Sequence, residues 1–342
     1  MKLYVISIRP KSGLGTPLKG DTLFGHFCWQ AANDPGLLEG GLERQIAAYP
    51  ESPFVVFSSA FPKLGDSLPQ YAVKRPDLPL SVLFSHLEAE RVARFEARKE
   101  NKKQKWLLLN ADLKLELTKM QYLTDSELGE RAILEIAAHT RRQMRKLGES
   151  QFIISFAQPH NTISRLTQTT GPEDFAPYTQ EIWHYYPGTE LAIFTLIEEQ
   201  VTDIERVCLG LQRIGQWGYG KDASIGQGRF QLTGYQELPL PKSEGANACY
   251  ILGPAVPEPD TYRETYFVPF VRFGKHGDLL ARSGNPFKNP VIMAEEGAVF
   301  LPRNPKVFDK PYLGRAVTGL SKSFPATVAQ GYAFYLPFRL EG

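Results

Sequence analysis

Gly215-Gln-Trp-Gly-Tyr-Gly-Lys-Asp-Ala-Ser-Ile-Gly-Gln-Gly-Arg-Phe230 places five glycines and two cations between two differently patterned stretches. Upstream, Ile204, Val207, Cys208, Leu211 and Ile214 recur at helical spacing; downstream, Arg229 to Thr233 reads as a short strand. The order is therefore helix, loop, strand. Nucleotide-binding phosphate loops need the reverse, because a helix N-terminus must meet the phosphate. Gly215 to Lys221 has the spacing of a nucleoside-triphosphate loop, but Asp222 stands where a magnesium-binding hydroxyl belongs. Gly218 to Ala223 imitates a dinucleotide fingerprint without the strand that should precede it. What remains is a backbone that a ligand can approach closely, with Lys221 and Arg229 supplying charge suited to phosphates. The glycines alone fit a glycine-terminated helix and turn as well.

A glycine-rich helix-to-strand loop ending in Gly-x-Gly-Arg-Phe resembles the signature of the repeat-associated mysterious proteins (RAMPs), the RNA-binding subunits of CRISPR effector complexes. Further segments are similar to the RAMP subunit that caps the guide RNA in type III-A (Csm) complexes. They are Pro17-Leu-Lys-Gly-Asp-Thr-Leu-Phe-Gly-His-Phe-Cys-Trp29, His160-Asn-Thr-Ile-Ser-Arg-Leu-Thr167, Gly284-Asn-Pro-Phe-Lys-Asn-Pro290 and Val328-Ala-Gln-Gly-Tyr332. Together they cover almost the whole chain in the expected order. The resemblance implies an α+β protein of two ferredoxin-like RAMP domains, binding the repeat-derived 5′ tag of the guide (cr)RNA. It also implies two protein partners, the large polymerase-like subunit and a backbone RAMP subunit, with target RNA met only indirectly. No metal or cofactor is implied, and the family's capping subunit is non-catalytic.

The 342 residues are 42% hydrophobic, ample for real cores and unlike a disordered chain. No apolar run is long enough to span a bilayer, and Met1 to Ile8 leads into Arg9-Pro10 rather than a cleavage site, so a cytoplasmic protein is expected. Cys28, Cys208 and Cys249 are too few and too scattered for a disulfide framework or a zinc site. A net charge of +2 is too small for a non-specific nucleic-acid binder, so RNA contact must be local.

Leu3 to Ile8 reads as a first strand, and Gly20 to Ala32 as a helix with the apolar stripe Leu23, Phe24, Phe27, Cys28 and Ala31. Strand-like runs follow at 54–57, 152–156, 183–186 and 191–197, before the Asp203 helix and the Arg229 strand. That succession is ferredoxin-like. It is interrupted by a charged insertion at about 83–146, helical from Ser126 to Lys146. Prolines and small residues between 239 and 259 mark a boundary near Gly245, dividing an N-terminal domain (1–238) from a C-terminal one (246–342) in which Tyr266 to Arg272, Val291 to Met293, Ala298 to Phe300 and Tyr332 to Phe338 read as strands. The resemblance makes the latter a degenerate second ferredoxin-like unit.

The candidate RNA-binding residues fall in four groups. Lys19 and Gly20 open the first helix as an anion seat or a simple cap, and His26 lies at that helix's polar edge. His26 is open to three readings: RNA contact, structural residue, or the base of a metal-independent guide-RNA endoribonuclease, the alternative function. Asn161 and Arg165 belong to a polar stretch suited to single-stranded RNA. By resemblance this stretch leads into a thumb at about 160–182 that kinks the guide, with Ile163, Leu166 and Phe175 as candidate wedges or, equally, local packing. Gly218, Gly220, Lys221, Ser224, Gly226, Gly228 and Arg229 form the glycine-rich loop, and Lys275, Lys288 and Lys322 add scattered charge in the C-terminal half.

Overall fold

The computed structural model describes residues 1–65, 68–84, 91–147, 152–172 and 175–341. The parts of the insertion at 85–90 and of the expected thumb at 173–174 lie outside them. The chain opens with β1 (Lys2–Pro10), α1 (Gly20–Asn33), α2 (Gly41–Ala48), β2 (Val55–Leu64) and β3 (Gln70–Lys74). It continues through α3 (Leu80–Leu83), α4 (Arg91–Lys103), β4 (Trp106–Asn110), β5 (Gln121–Leu123), α5 (Asp125–Glu135) and α6 (Ala138–Leu147). Then come β6 (Ile153–His160), β7 (Tyr178–Tyr185), β8 (Glu190–Ile197), α7 (Ile204–Trp217) and β9 (Phe230–Leu238).

Four of these strands lie in the order β2-β8-β1-β9, each antiparallel to its neighbours, with α1 after β1 and α7 after β8. This is ferredoxin-like connectivity. β3, β4 and β5 extend the same sheet beyond β2, so the insertion contributes strands as well as helices. β6 and β7 leave the sheet as a separate two-stranded ribbon.

The helices form where their apolar spacing and caps direct. Leu23, Phe24, Phe27 and Ala31 of α1 are buried, as are Val207, Cys208, Leu211 and Ile214 of α7. Asp203 caps α7 by accepting from the Arg206 amide at 2.9 Å, and Thr124 and Glu127 close a reciprocal capping box on α5. α1 and α7 pack closely because Gly210 has no side chain: a Cβ there would lie 2.7 Å from the Phe27 ring.

Beyond a linker, the second half holds β10 (Ala248–Ile251), β11 (Tyr262–Tyr266), β12 (Pro269–Arg272), β13 (Val291–Ala294), β14 (Val299–Pro302), β15 (Tyr312–Gly314) and β16 (Tyr332–Phe338). The run expected as one strand over 266–272 is thus divided between β11 and β12. Five strands make a sheet in the order β11-β14-β10-β16-β15, and β12 pairs with β13. Its first four repeat the connectivity of the first sheet, with no α-helix between them among the described residues.

The two sheets share one core, in which Tyr250, Leu252, Phe334, Leu336 and Phe338 cluster with Leu3, Phe57 and the residues of β8. β8 therefore has cover on both faces, which explains its nearly continuous apolar sequence from Leu191 to Ile197. Where β2 bulges between Phe57 and Ala60, the fully buried Gln330 completes the pairing. Its Nε2 donates to the Phe57 carbonyl at 2.7 Å and the Tyr332 carbonyl at 3.1 Å, while its Oε1 accepts from the Phe57 amide at 3.0 Å.

Candidate nucleic-acid interface

The glycine-rich loop is built by its neighbours. α7 ends as the Gly218 amide donates to Ile214 at 2.8 Å, with Gly218 at a φ of 105°. The buried Tyr219 then pairs its amide with the Gly228 carbonyl at 2.9 Å. Its hydroxyl donates to the Pro17 carbonyl at 2.9 Å and accepts from the Lys19 amide at 3.1 Å. Gly228, at a φ of 73°, can only be glycine, since a Cβ would lie 2.0 Å from the Tyr219 carbonyl oxygen. Its amide donates to Gly13 at 2.7 Å, and the Lys221 and Arg229 amides donate to the hydroxyls of Thr16 and Ser12 at 3.0 and 2.9 Å. The 11–19 segment is thus the bed on which the loop lies.

Above that bed the loop turns outward through Gly226. Lys221, Ser224 and Arg229 are exposed, and neither cation has a carboxylate partner among the described residues. The arrangement presents positive charge, a hydroxyl and a tightly curved backbone to solvent, a combination that suits a phosphodiester chain.

His26 faces the loop. Its Nε2 accepts from the Gly220 amide at 3.0 Å, and its ring lies 5.0 Å from that of Tyr219. An accepting Nε2 assigns the hydrogen to Nδ1, and burial pushes the pKa down to about 4, so the ring is neutral. The polar edge of α1 predicted for His26 is where it sits, but that edge meets the protein's own backbone. Of the three readings of His26, this geometry accords with the structural one, with Nε2 occupied by the Gly220 amide.

Lys19 and Gly20, expected as an anion seat or a simple cap, stand at the start of α1 with Lys19 as its N-cap residue, and their contacts are with the protein itself. Lys19 is buried, its Nζ 2.9 Å from Glu295 and 2.6 Å from Glu296 of the second half. Its charge is consumed across the sheet interface. Gly20 packs against β2, where a Cβ would fall 2.0 Å from the Phe57 carbonyl oxygen. Asp21, beside them, is held by Arg272 at 2.6 and 3.0 Å.

The ribbon β6–β7 stands beside the loop bed, since Leu14 and Trp183 exchange backbone hydrogen bonds at 2.9 and 3.0 Å. Its ladder runs from Ile153↔Tyr185 to His160↔Tyr178, longer at its base than the expected 160–182 thumb. Asn161, Ile163, Arg165, Leu166 and Phe175 are exposed toward its tip, Leu166 at 97% and Phe175 at 37%, and the Phe175 backbone carbonyl accepts from the Gly171 amide at 3.1 Å. The strands also carry His160 stacked on Tyr178 and Phe156 on His184, with ring centroids 5.4 and 5.1 Å apart. Sequence reading missed these stacks, although aromatic and histidine residues at alternate positions of two flanking strands were their signal.

Lys275, Lys288 and Lys322 lie in the second half of the chain. Lys275 lies over the Phe287 ring at 5.4 Å, the Lys288 amide donates to Gly274 at 2.8 Å, and Ser321 meets His276 at 2.7 Å, leaving Lys322 exposed. Burial lowers the pKa of Lys288. No hydrogen bond or ion pair among the described residues joins these lysines to the glycine-rich loop.

No family model matches the chain, and no curated protein matches it. Solved structures do. At 17% identity and a TM-score of 0.56, 100% of this chain matches 99% of a chain from a Csm1-Csm4 cassette in complex with pppApA. A cassette in complex with cA4 matches with 16% identity and a TM-score of 0.56, over 100% of both chains. A Csm3-Csm4 subcomplex of the type III-A CRISPR-Cas interference complex gives 15% identity and a TM-score of 0.55, over 99% of this chain and 100% of the other. The fold is thus that of a type III-A effector subunit. The subunit common to these assemblies, and the one this chain is similar to in fold, is Csm4.

Proposed function

We propose that the protein is a non-catalytic guide-RNA-binding subunit of a type III-A CRISPR interference complex, recognising the repeat-derived 5′ tag. In this reading the chain joins a large polymerase-like subunit to a backbone RAMP subunit in antiviral defence, in the cytoplasm. No described helix is long and apolar enough to cross a membrane. The chain divides near Gly245 into two ferredoxin-like domains, the second retaining the strand order without the helices. The observation that carries the proposal is the outward-facing loop with Lys221, Ser224 and Arg229, pinned beside an exposed two-stranded ribbon on a fold shared with Csm4-containing assemblies.

The non-catalytic reading is supported by His26, whose Nε2 is committed to Gly220 and whose pKa of about 4 makes it a poor base at neutral pH. The test is binding of the full chain, alone and with its backbone partner, to guide RNA with intact or scrambled 5′ tag, while watching for cleavage without metal. Preference for the intact tag without a cleavage product, weakened by replacing Lys221 and Arg229, is the expected result. A discrete product abolished by His26→Ala would overturn it in favour of a processing nuclease.

A further inference from the structure

A cleft of about 720 Å3 opens between the C-terminal half of α7 and the start of β9, at the foot of the glycine-rich loop. It forms where Gly215 lets the helix approach the strand, since a Cβ there would lie 2.2 Å from the Phe230 carbonyl oxygen. Its rim carries Lys11 and Arg229, and its walls carry Gln212, Gln216 and Gln231. All five are exposed, and none of their side chains has a hydrogen-bond or ion-pair partner among the described residues.

A second cleft, of about 330 Å3, shows why this matters. It too is lined by cations, among them Lys19, Lys74 and Lys105. There each ammonium is neutralised at close range: Lys19 by Glu295 and Glu296, Lys74 by Glu295 at 2.9 Å, Lys105 by Asp125 at 2.5 Å. The α7–β9 cleft has no acidic residue in its lining, so its charge is available to a ligand. Two cations over three carboxamides fit an anionic group joined to a flat polar edge. Cations take a phosphate, and a carboxamide, with donor and acceptor side by side, pairs with a nucleobase edge offering the complement.

We infer that the α7–β9 cleft is a nucleotide subsite, taking one or two nucleotides of single-stranded RNA as the strand leaves the glycine-rich loop. Lys11 and Arg229 hold phosphate, and Gln212, Gln216 and Gln231 discriminate among bases. The inference rests on the proposed RNA-binding role and adds a reading surface to it. Arg229 is shared between loop and cleft, so the variants that isolate the cleft are Lys11→Ala and the glutamine substitutions.

The test is titration of the full chain with a labelled single-stranded guide RNA and with versions changed one base at a time, over a series of salt concentrations. Gln212→Ala, Gln216→Ala and Gln231→Ala are each expected to weaken binding roughly three- to tenfold. They should flatten the base preference at the same one or two positions and leave the salt slope unchanged. Lys11→Ala is expected to weaken all sequences alike and to reduce the salt slope by about 0.7. These side chains are exposed, and an unchanged thermal midpoint verifies folding of each variant. Wild-type RNA binding that depends on Lys221 but is indifferent to Lys11 and the glutamines overturns the subsite and leaves the general role standing. Absence of RNA binding by the wild-type chain and its complex overturns both. Base preference retained in the triple glutamine variant refutes the reading function.

Discussion

Replacing Gln330 by alanine removes a side chain that performs backbone work. Its carboxamide supplies the partners that Phe57 loses at the β2 bulge, and it also donates to Tyr332. All of these groups are buried. In Gln330→Ala the Phe57 amide and carbonyl are left unpaired, at about 1–3 kcal/mol each. A partly collapsed cavity adds to this, and water entering it subtracts, for a net cost of about 3–5 kcal/mol. Against a domain stability of about 5–15 kcal/mol this is a large fraction. The assay is urea unfolding followed by far-ultraviolet circular dichroism and tryptophan fluorescence. The expected result is a lower midpoint, with the two signals no longer coincident, because the carboxamide ties the second half to the first sheet. A loss below about 1 kcal/mol with coincident transitions would refute the claim that this side chain closes the interface.

Other outcomes follow from the same contacts. Lys19→Ala should destabilise by about 3–5 kcal/mol, because Glu296 loses its ion partner in a half-buried site; RNA affinity per folded molecule should be unchanged, as read by titration beside a thermal melt. Gly228→Ala should abolish loop order and RNA binding, since its φ of 73° and its contact with Tyr219 leave no room for a methyl group; circular dichroism should still report a folded chain. Burial depresses the pKa of His26 to about 4, so the unfolded state takes up a proton before the folded one does as pH falls from about 6.5. Stability contributed by the neutral ring is complete above that window and is lost through it, and His26→Gln should flatten this part of a pH–stability profile. Leu166→Ala should leave stability within about 0.5 kcal/mol, because the side chain is 97% exposed, while weakening guide-RNA binding if the ribbon tip acts as a wedge.

The elements that could be read from the sequence were those whose pattern is local. α1 and α7 announced themselves by apolar stripes, and β16 by a run matching Tyr332 to Phe338. β3, β4 and β5 did not, being short strands set among charged helical segments and defined by pairing to a sheet already begun by β2. The glycine-rich loop was legible because its glycines are imposed by its own path. The role of Lys19 was not, because its carboxylate partners lie more than 270 positions away in the chain, at Glu295 and Glu296. His26 illustrates the same limit: its place on the helix followed from spacing, while its partner, Gly220, is supplied by tertiary structure.

The pinning of the glycine-rich loop has a thermodynamic consequence. Its backbone is fastened through Gly13, Thr16, Ser12 and His26 before any ligand arrives, so the protein forfeits little conformational freedom on binding. The ordering cost falls on the flexible nucleic-acid strand instead. A rigid template of this kind favours strands that already bend as the loop does, and turns differences in strand stiffness into differences in affinity.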